Sequence, residues 1–252
     1  MTSLPGDTAS NGETIKVFDV PVTTCTFAAG VNLIETIIAE RKSQLVVLAN
    51  ANTLNLAYDQ SDYKKILQTA LVLRDGSGVS WAMQIKGVSP LHNFVGTDFV
   101  PAFCKLTAHK GYRIFLLGAR SGVAEAAAKK LESLAPGLII AGYYHGYFPE
   151  DRTDEIIRRI EQTGSDILLV AMGNPKQEFW ITNNIYKLNI PVCIGVGAFF
   201  DYLSDQVPRA PQWMLSAGME WIFRLAMEPK RLWRRYLIGN VKFIMRVYRE
   251  HM

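Results

Sequence analysis

Five short apolar runs, each closing on small or polar residues, constrain this chain more than any other feature. Gln44-Leu45-Val46-Val47-Leu48-Ala49 ends at Asn50, Leu71-Val72-Leu73-Arg74 at Asp75-Gly76, and Arg113-Ile114-Phe115-Leu116-Leu117 at Gly118. Asp166-Ile167-Leu168-Leu169-Val170 ends near Met172-Gly173-Asn174, and Pro191-Val192-Cys193-Ile194-Gly195-Val196 at Gly197. A run with no polar face reads as a strand covered on both sides. Helical patterns separate the runs over 28–41, 122–134 and 151–163. The last places acids in its first turn, where they complement the helix dipole. Such alternation predicts an α/β fold: a Rossmann-like, mostly parallel sheet flanked by helices. The 252 residues, 49% of them hydrophobic, suit one such domain with an appendage. The expected organisation is a flexible leader over 1–13, a core over 14–211, and a basic amphipathic helical appendage over 212–252.

In sheets of this kind ligands bind outside the carboxyl ends of the strands. Five polar, turn-forming segments on one edge therefore mark a candidate site. Asp75 follows a buried strand and precedes glycine, so its carboxylate opens into that rim. It can serve there as a general base, or it can satisfy backbone N–H groups of the turn. Asn50, Asn52 and Thr53 can bind sugar hydroxyls or a base edge, or cap a helix. Gly173-Asn174-Pro175-Lys176-Gln177-Glu178 is the densest polar cluster, with Lys176 in the first turn of a helix whose N-terminus suits an anion.

Several chemistries find no support. Gly118 to Gly122 lacks the full dinucleotide fingerprint, and no P-loop is present. Three scattered cysteines (Cys25, Cys104, Cys193) and four dispersed histidines form no metal pattern, and free buried thiols are expected. No D-x-D occurs, so a departing diphosphate would need arginine and lysine to neutralise it. The net charge of +4 is local: residues 219–252 carry +5 and the remainder −1. Leu232, Tyr236, Phe243 and Val247 share one helical face in that segment, with Trp221 and Trp233 interleaved among its arginines. That pattern points to a membrane surface. No secretory leader and no membrane-spanning run is legible. Three functions remain: a sugar transferase, a Rossmann-like nucleotide-cofactor oxidoreductase, and a non-catalytic binder of membrane surfaces.

Taken in order, these segments resemble the WecG/TagA/CpsF glycosyltransferase family. The resemblance rests on Asn50-Ala51-Asn52-Thr53, Asp75-Gly76-Ser77-Gly78, Gly96-Thr97-Asp98, and Met172 to Glu178. It continues through Gly195 to Asp201, Arg209-Ala210-Pro211, Gly218 to Trp221, and Arg224 to Leu232. It implies transfer of a hexose or N-acetylhexosamine-type sugar from a UDP-sugar to a polyprenyl-diphosphate-linked saccharide. It also implies inversion, no metal, no cofactor and no nucleic-acid partner. Asp75 matches the family's general base, and Asn50 and Gln177 match polar pocket residues. Asn52, Thr53, Gly76, Gly118, Asn174, Lys176, Glu178, Asp201 and Arg209 complete the expected substrate-binding set. Arg224, Arg231, Arg234 and Arg235 match an appendage that closes over the site and faces the membrane. Oligomers and a place at the cytoplasmic face of the bacterial inner membrane are further implications. Ala171 stands where many members have glycine, and Leu48 where some have threonine. Ser204-Asp205-Gln206 replaces a glycine-containing turn.

Overall fold

The computed structural model describes residues 12–252. Most of the expected leader therefore lies outside the described residues; its last member, Glu13, already stands in a strand. Eight strands form one sheet: β1 (Glu13–Val17), β2 (Val20–Thr24), β3 (Gln44–Ala49), β4 (Leu71–Arg74), β5 (Arg113–Gly118), β6 (Ile139–Tyr144), β7 (Ile167–Ala171) and β8 (Val192–Gly195). Their order is β1-β2-β4-β3-β8-β7-β5-β6. Only β1 runs antiparallel, as a hairpin partner of β2; every other pair is parallel. The carboxyl ends of β3, β4, β5, β7 and β8 consequently share one edge.

Eight helices cover the faces: α1 (Phe27–Glu40), α2 (Ala51–Asp59), α3 (Ser61–Thr69), α4 (Ser77–Ile85), α5 (Gly96–Thr107), α6 (Val123–Leu134), α7 (Thr153–Glu161) and α8 (Lys176–Leu188). Side chains of a strand alternate between faces, and the core divides accordingly. Val46 and Leu48 of β3, Ile114 and Leu116 of β5, and Leu169 of β7 join one cluster, with residues of α1, α5 and α6. Leu45 and Val47, Phe115 and Leu117, and Leu168 and Val170 join the other, under α2, α3, α4, α7 and α8. The continuous apolar runs of the sequence are thus two interleaved half-runs, one for each layer. Gly118 ends β5 at φ +142°, and a Cβ there would lie 2.4 Å from the Ala171 carbonyl oxygen. Only glycine lets β5 and β7 approach so closely at the rim.

The C-terminal segment consists of α9 (Phe199–Leu203), α10 (Gln212–Ser216), α11 (Glu220–Met227), α12 (Pro229–Trp233), a π-helical turn Arg234–Ile238, and α13 (Gly239–His251). The helical appendage expected over 212–252 is interrupted at Gly218, whereas from Pro229 to His251 it is one continuous helix with a π-helical turn inside it. A larger correction concerns the apolar face. Leu232, Tyr236, Phe243 and Val247 do not face outward; all four are buried. Phe243 meets Phe18 edge-on at 5.6 Å, and Phe243 and Val247 belong to the second core cluster. Arg246 donates to the Asn55 Oδ1 at 2.9 Å and pairs with Asp59, while the Asn55 amide donates to the Gly239 carbonyl at 2.8 Å. The spacing was that of a core-facing stripe, the commoner destination of such a pattern.

Because α13 is part of the core, its buried face must contribute to global stability. Phe243→Ala is expected to lower the unfolding free energy by about 3–5 kcal/mol. The exposed Met245→Ser on the same helix should stay within about 0.5 kcal/mol of wild type. Urea unfolding followed by circular dichroism reads both, and equal small effects would show that α13 is not docked.

Candidate active site

Asp75 stands one residue beyond β4, at the polar edge of the sheet. Its backbone N–H donates to the Ala49 carbonyl at 2.8 Å, which extends the β3–β4 ladder to the site. Gly76 then turns the chain at φ +87°, a conformation that L side chains rarely adopt, and α4 begins at the next residue. The Gly76 N–H donates to Asn93 Oδ1 at 2.7 Å. Buried Arg74 holds that same segment from behind, with its guanidinium on Ser80 Oγ and, at 3.0 Å, on the Leu91 carbonyl. Asn93 was not singled out in the sequence, because a loop residue 17 positions beyond Gly76 carries no periodic signal linking it to this turn.

Asn50 performs two tasks. Its Oδ1 accepts from the N–H groups of Asn52 and Thr53 at 3.1 and 3.2 Å, capping α2. Its side chain also faces the Asp75 carboxylate and favours its charged form. Thr53 is fully buried and closes the capping box, its hydroxyl engaged with Asn50. The alternative between capping and ligand binding thus resolves to capping for Thr53. Asn52 stays partly exposed beside it.

The C-terminal segment sits directly on this turn. A Cβ on Gly218 would stand 3.5 Å from the Ser77 Cβ, and one on Gly78 would stand 3.8 Å from the Phe243 ring. Burial raises the Asp75 carboxyl to about 6. Arg224 opposes that rise, Glu220 adds to it, and Asn50 and Arg235 oppose it further. Arg224 is gripped by Glu220, with Nε at 3.0 Å and Nη2 at 2.5 Å from one carboxylate oxygen. Its guanidinium lies 4.8 Å from the centre of the Tyr202 ring. Arg235 stacks 5.5 Å over Tyr236, and its Nε is buried with no protein partner. A desolvated guanidinium with an unspent N–H is suited to an anion.

The four tail arginines are thereby sorted. Arg224 and Arg235 face Asp75. Arg231 pairs with Glu228 and, together with Arg120, acts on Asp201 at the start of α9. Arg234 points outward over Trp233 at 5.2 Å. Arg120 belongs to the rim segment Gly118-Ala119-Arg120, which the sequence marks only as a polar strand end.

Gln177 and Glu178 are fully enclosed. The Gln177 Oε1 accepts from the N–H groups of Gly173 and Gly197, both at 3.1 Å, and so ties the loop after β7 to the loop after β8. Its amide donates to Glu178 Oε1 at 2.8 Å, and Asn174 Nδ2 donates to the same oxygen at 2.6 Å. Burial holds the Glu178 carboxyl above the usual glutamate range. These three residues support the rim rather than line it. Lys176 and Arg209 are not brought to Asp75. Lys176 lines a separate groove of about 560 Å³ between α7 and α8, with Trp180, Asn184 and Asp151. Arg209 pairs with Asp98 at the start of α5.

The arrangement offers a proton acceptor poised near neutrality, flanked by guanidinium groups that can receive negative charge. Known proteins are similar to this chain over nearly its whole length. The family model described as "Glycosyl transferase WecG/TagA/CpsF family" matches residues 15–252. A Bacillus subtilis (strain 168) protein named N-acetylglucosaminyldiphosphoundecaprenol N-acetyl-beta-D-mannosaminyltransferase is 30% identical over 240 residues, covering 94% of this chain and 92% of that protein. Proteins of the same name from Bacillus spizizenii and Staphylococcus aureus (strain MRSA252) are 31% identical over 203 residues and 30% identical over 229. They cover 80% and 89% of this chain, and 78% and 89% of their own lengths. With its sheet, its Asp75 rim and its seated C-terminal helices inside that match, the chain belongs to the WecG/TagA/CpsF family of glycosyltransferases.

Proposed function

We propose that this glycosyltransferase moves a hexose or N-acetylhexosamine-type sugar from a UDP-sugar to a polyprenyl-diphosphate-linked saccharide, with Asp75 as general base. The observation that carries this reading is the Asp75 carboxyl, half-buried at the polar rim on the turn that the C-terminal segment packs against, with Arg224 and Arg235 acting on it and burial raising it to about 6. A base works best when its pKa lies near the working pH, since it is then both deprotonated and willing to take a proton. In the proposed step, an acceptor hydroxyl gives its proton to Asp75 as its oxygen bonds to the anomeric carbon. The bond from that carbon to the donor phosphate breaks, and UDP leaves with the electron pair. One displacement at one carbon inverts its configuration. Arg224 and the unpartnered Arg235 receive the developing charge of the diphosphate, and Arg231 with Arg120 extends the cationic rim. Asn50 orients Asp75, and Asn52 offers a free polar group to a sugar hydroxyl. Gln177 and Glu178 act indirectly, by holding the loops of the rim.

The acceptor would be anchored in a lipid surface, and the second half of the proposal is peripheral attachment through the C-terminal helices. No helix among the described residues is long and apolar enough to cross a membrane. The buried face of α13 is unavailable, but a second face carries Trp233, Leu237, Val241, Ile244, Met245 and Tyr248, all exposed. Arg234, Lys242 and Arg249 lie among them. Apolar side chains set among cations suit an anionic bilayer interface, at the cytoplasmic leaflet in a bacterium.

Four outcomes are expected. With a panel of UDP-sugars and a short-chain lipid-diphosphate saccharide, mass spectrometry should show the acceptor gaining one sugar. Asp75→Asn should keep the fold and lower kcat by about 10²-fold or more. Because protonation disables the base, wild-type kcat/KM should fall as pH drops through about 6. Near-wild-type turnover in Asp75→Asn contradicts the assignment. In liposome flotation, Leu237→Ser with Met245→Ser should weaken binding to anionic vesicles by tenfold or more, since each apolar group buried contributes about 1.5–3 kcal/mol. Unchanged binding would exclude this face as the attachment surface.

A further inference from the structure

Glu220 is the fourth charged group at the site, beside Asp75, Arg224 and Arg235, and neither composition nor motif spacing gives it a role. It lies four residues before Arg224 on α11, and one of its oxygens receives both Nε at 3.0 Å and Nη2 at 2.5 Å. The Tyr202 ring closes on the guanidinium from another side at 4.8 Å. Arg224 is thus fixed by two contacts, and its one ion pair among the described residues is with Glu220, not with Asp75. A cation so close to a buried carboxylate would ordinarily pair with it and make it a poor base.

We propose that Glu220 is a positioning residue for the transfer reaction: it restrains Arg224 beside Asp75 without letting the two pair, so that the carboxylate stays basic and the guanidinium stays available to the leaving group. This rests on Asp75 being the base. The charges acting on Asp75 come from Glu220 and Arg224 on α11 and Arg235 in the π-helical turn; Arg74 precedes it in the chain, and Asn50 of the α2 cap is neutral. Tyr202 and Tyr236 act on Arg224, and Glu228 acts on Tyr202. Glu220 raises the Asp75 carboxyl while Arg224 lowers it. Removing either therefore displaces the acid limb of the pH profile, and in opposite directions.

The test is the pH dependence of kcat/KM for transfer in the full chain. Glu220→Gln frees Arg224 to pair with Asp75, so the acid limb should move down by about one pH unit. The alkaline plateau should also fall several-fold, because the base is weaker. Arg224→Gln leaves Glu220 beside Asp75 without its cation, so the limb should move up. Glu220→Asp, which keeps the charge, should return the limb towards wild type. A role confined to folding would move the melting temperature without moving the limbs apart. A limb that does not move in Glu220→Gln, or moves the same way in both neutral variants, overturns the proposal. Should Glu220→Gln not fold, the directions in Arg224→Gln and Glu220→Asp decide alone: no upward shift in the first, or a displaced limb in the second, overturns it. If wild type shows no acid limb, or Asp75→Asn retains it, the base assignment fails instead.

Discussion

A half-buried carboxylate without a direct ion pair is the constraint around which this molecule is arranged. Burial disfavours the charged form of Asp75, and in free solvent nothing would hold it there. The parallel pairing of β3 and β4 fixes its backbone through Ala49. The Gly76 turn, pinned by Asn93, aims it at the rim. The cover is supplied by helices from the opposite end of the chain, which bring one anion and two cations with them. The resulting balance, rather than any one contact, sets the carboxyl near neutrality.

That cover has two working faces. Its inner side is core: Phe243 and Val247 are as buried as any residue of the sheet. Its outer side exposes a second apolar stripe from Trp233 to Tyr248. A segment that is loosely attached could bind lipid yet would not hold Arg224 and Arg235 to sub-ångström purpose. A docked segment joins whatever its outer face meets mechanically to the groups around Asp75. The site and the proposed lipid surface are therefore one structure rather than a domain and an anchor.

Much of this was legible in the sequence. The five apolar runs announced the parallel strands because each must bury both faces, and the polar residues after them marked the rim. Asp75 and Asn50 were found on that basis. The β1–β2 hairpin and β6 were not, because β6 is half-buried throughout and has no long apolar run. The tail misled for a physical reason. Two apolar stripes wrap one helix, and residues at 232, 236, 243 and 247 make a clear period, whereas the exposed stripe is broken by basic residues. Periodicity reveals that a face is apolar but not what covers it. Gln177 looked like a ligand contact because polar residues at a strand end usually are; its hydrogen bonds turned out to be spent on the neighbouring loops. Lys176 and Arg209 fell elsewhere because sequence proximity to the rim does not fix the direction of a side chain.

The central claim is that the closed site itself keeps Asp75 protonatable near neutral pH. The most direct measurement is a carboxyl carbon-13 NMR titration of aspartate-labelled protein, with the Asp75 signal assigned by its loss in Asp75→Asn. A midpoint at about 6 is predicted. A midpoint in the ordinary aspartate range, near 4, would contradict the account.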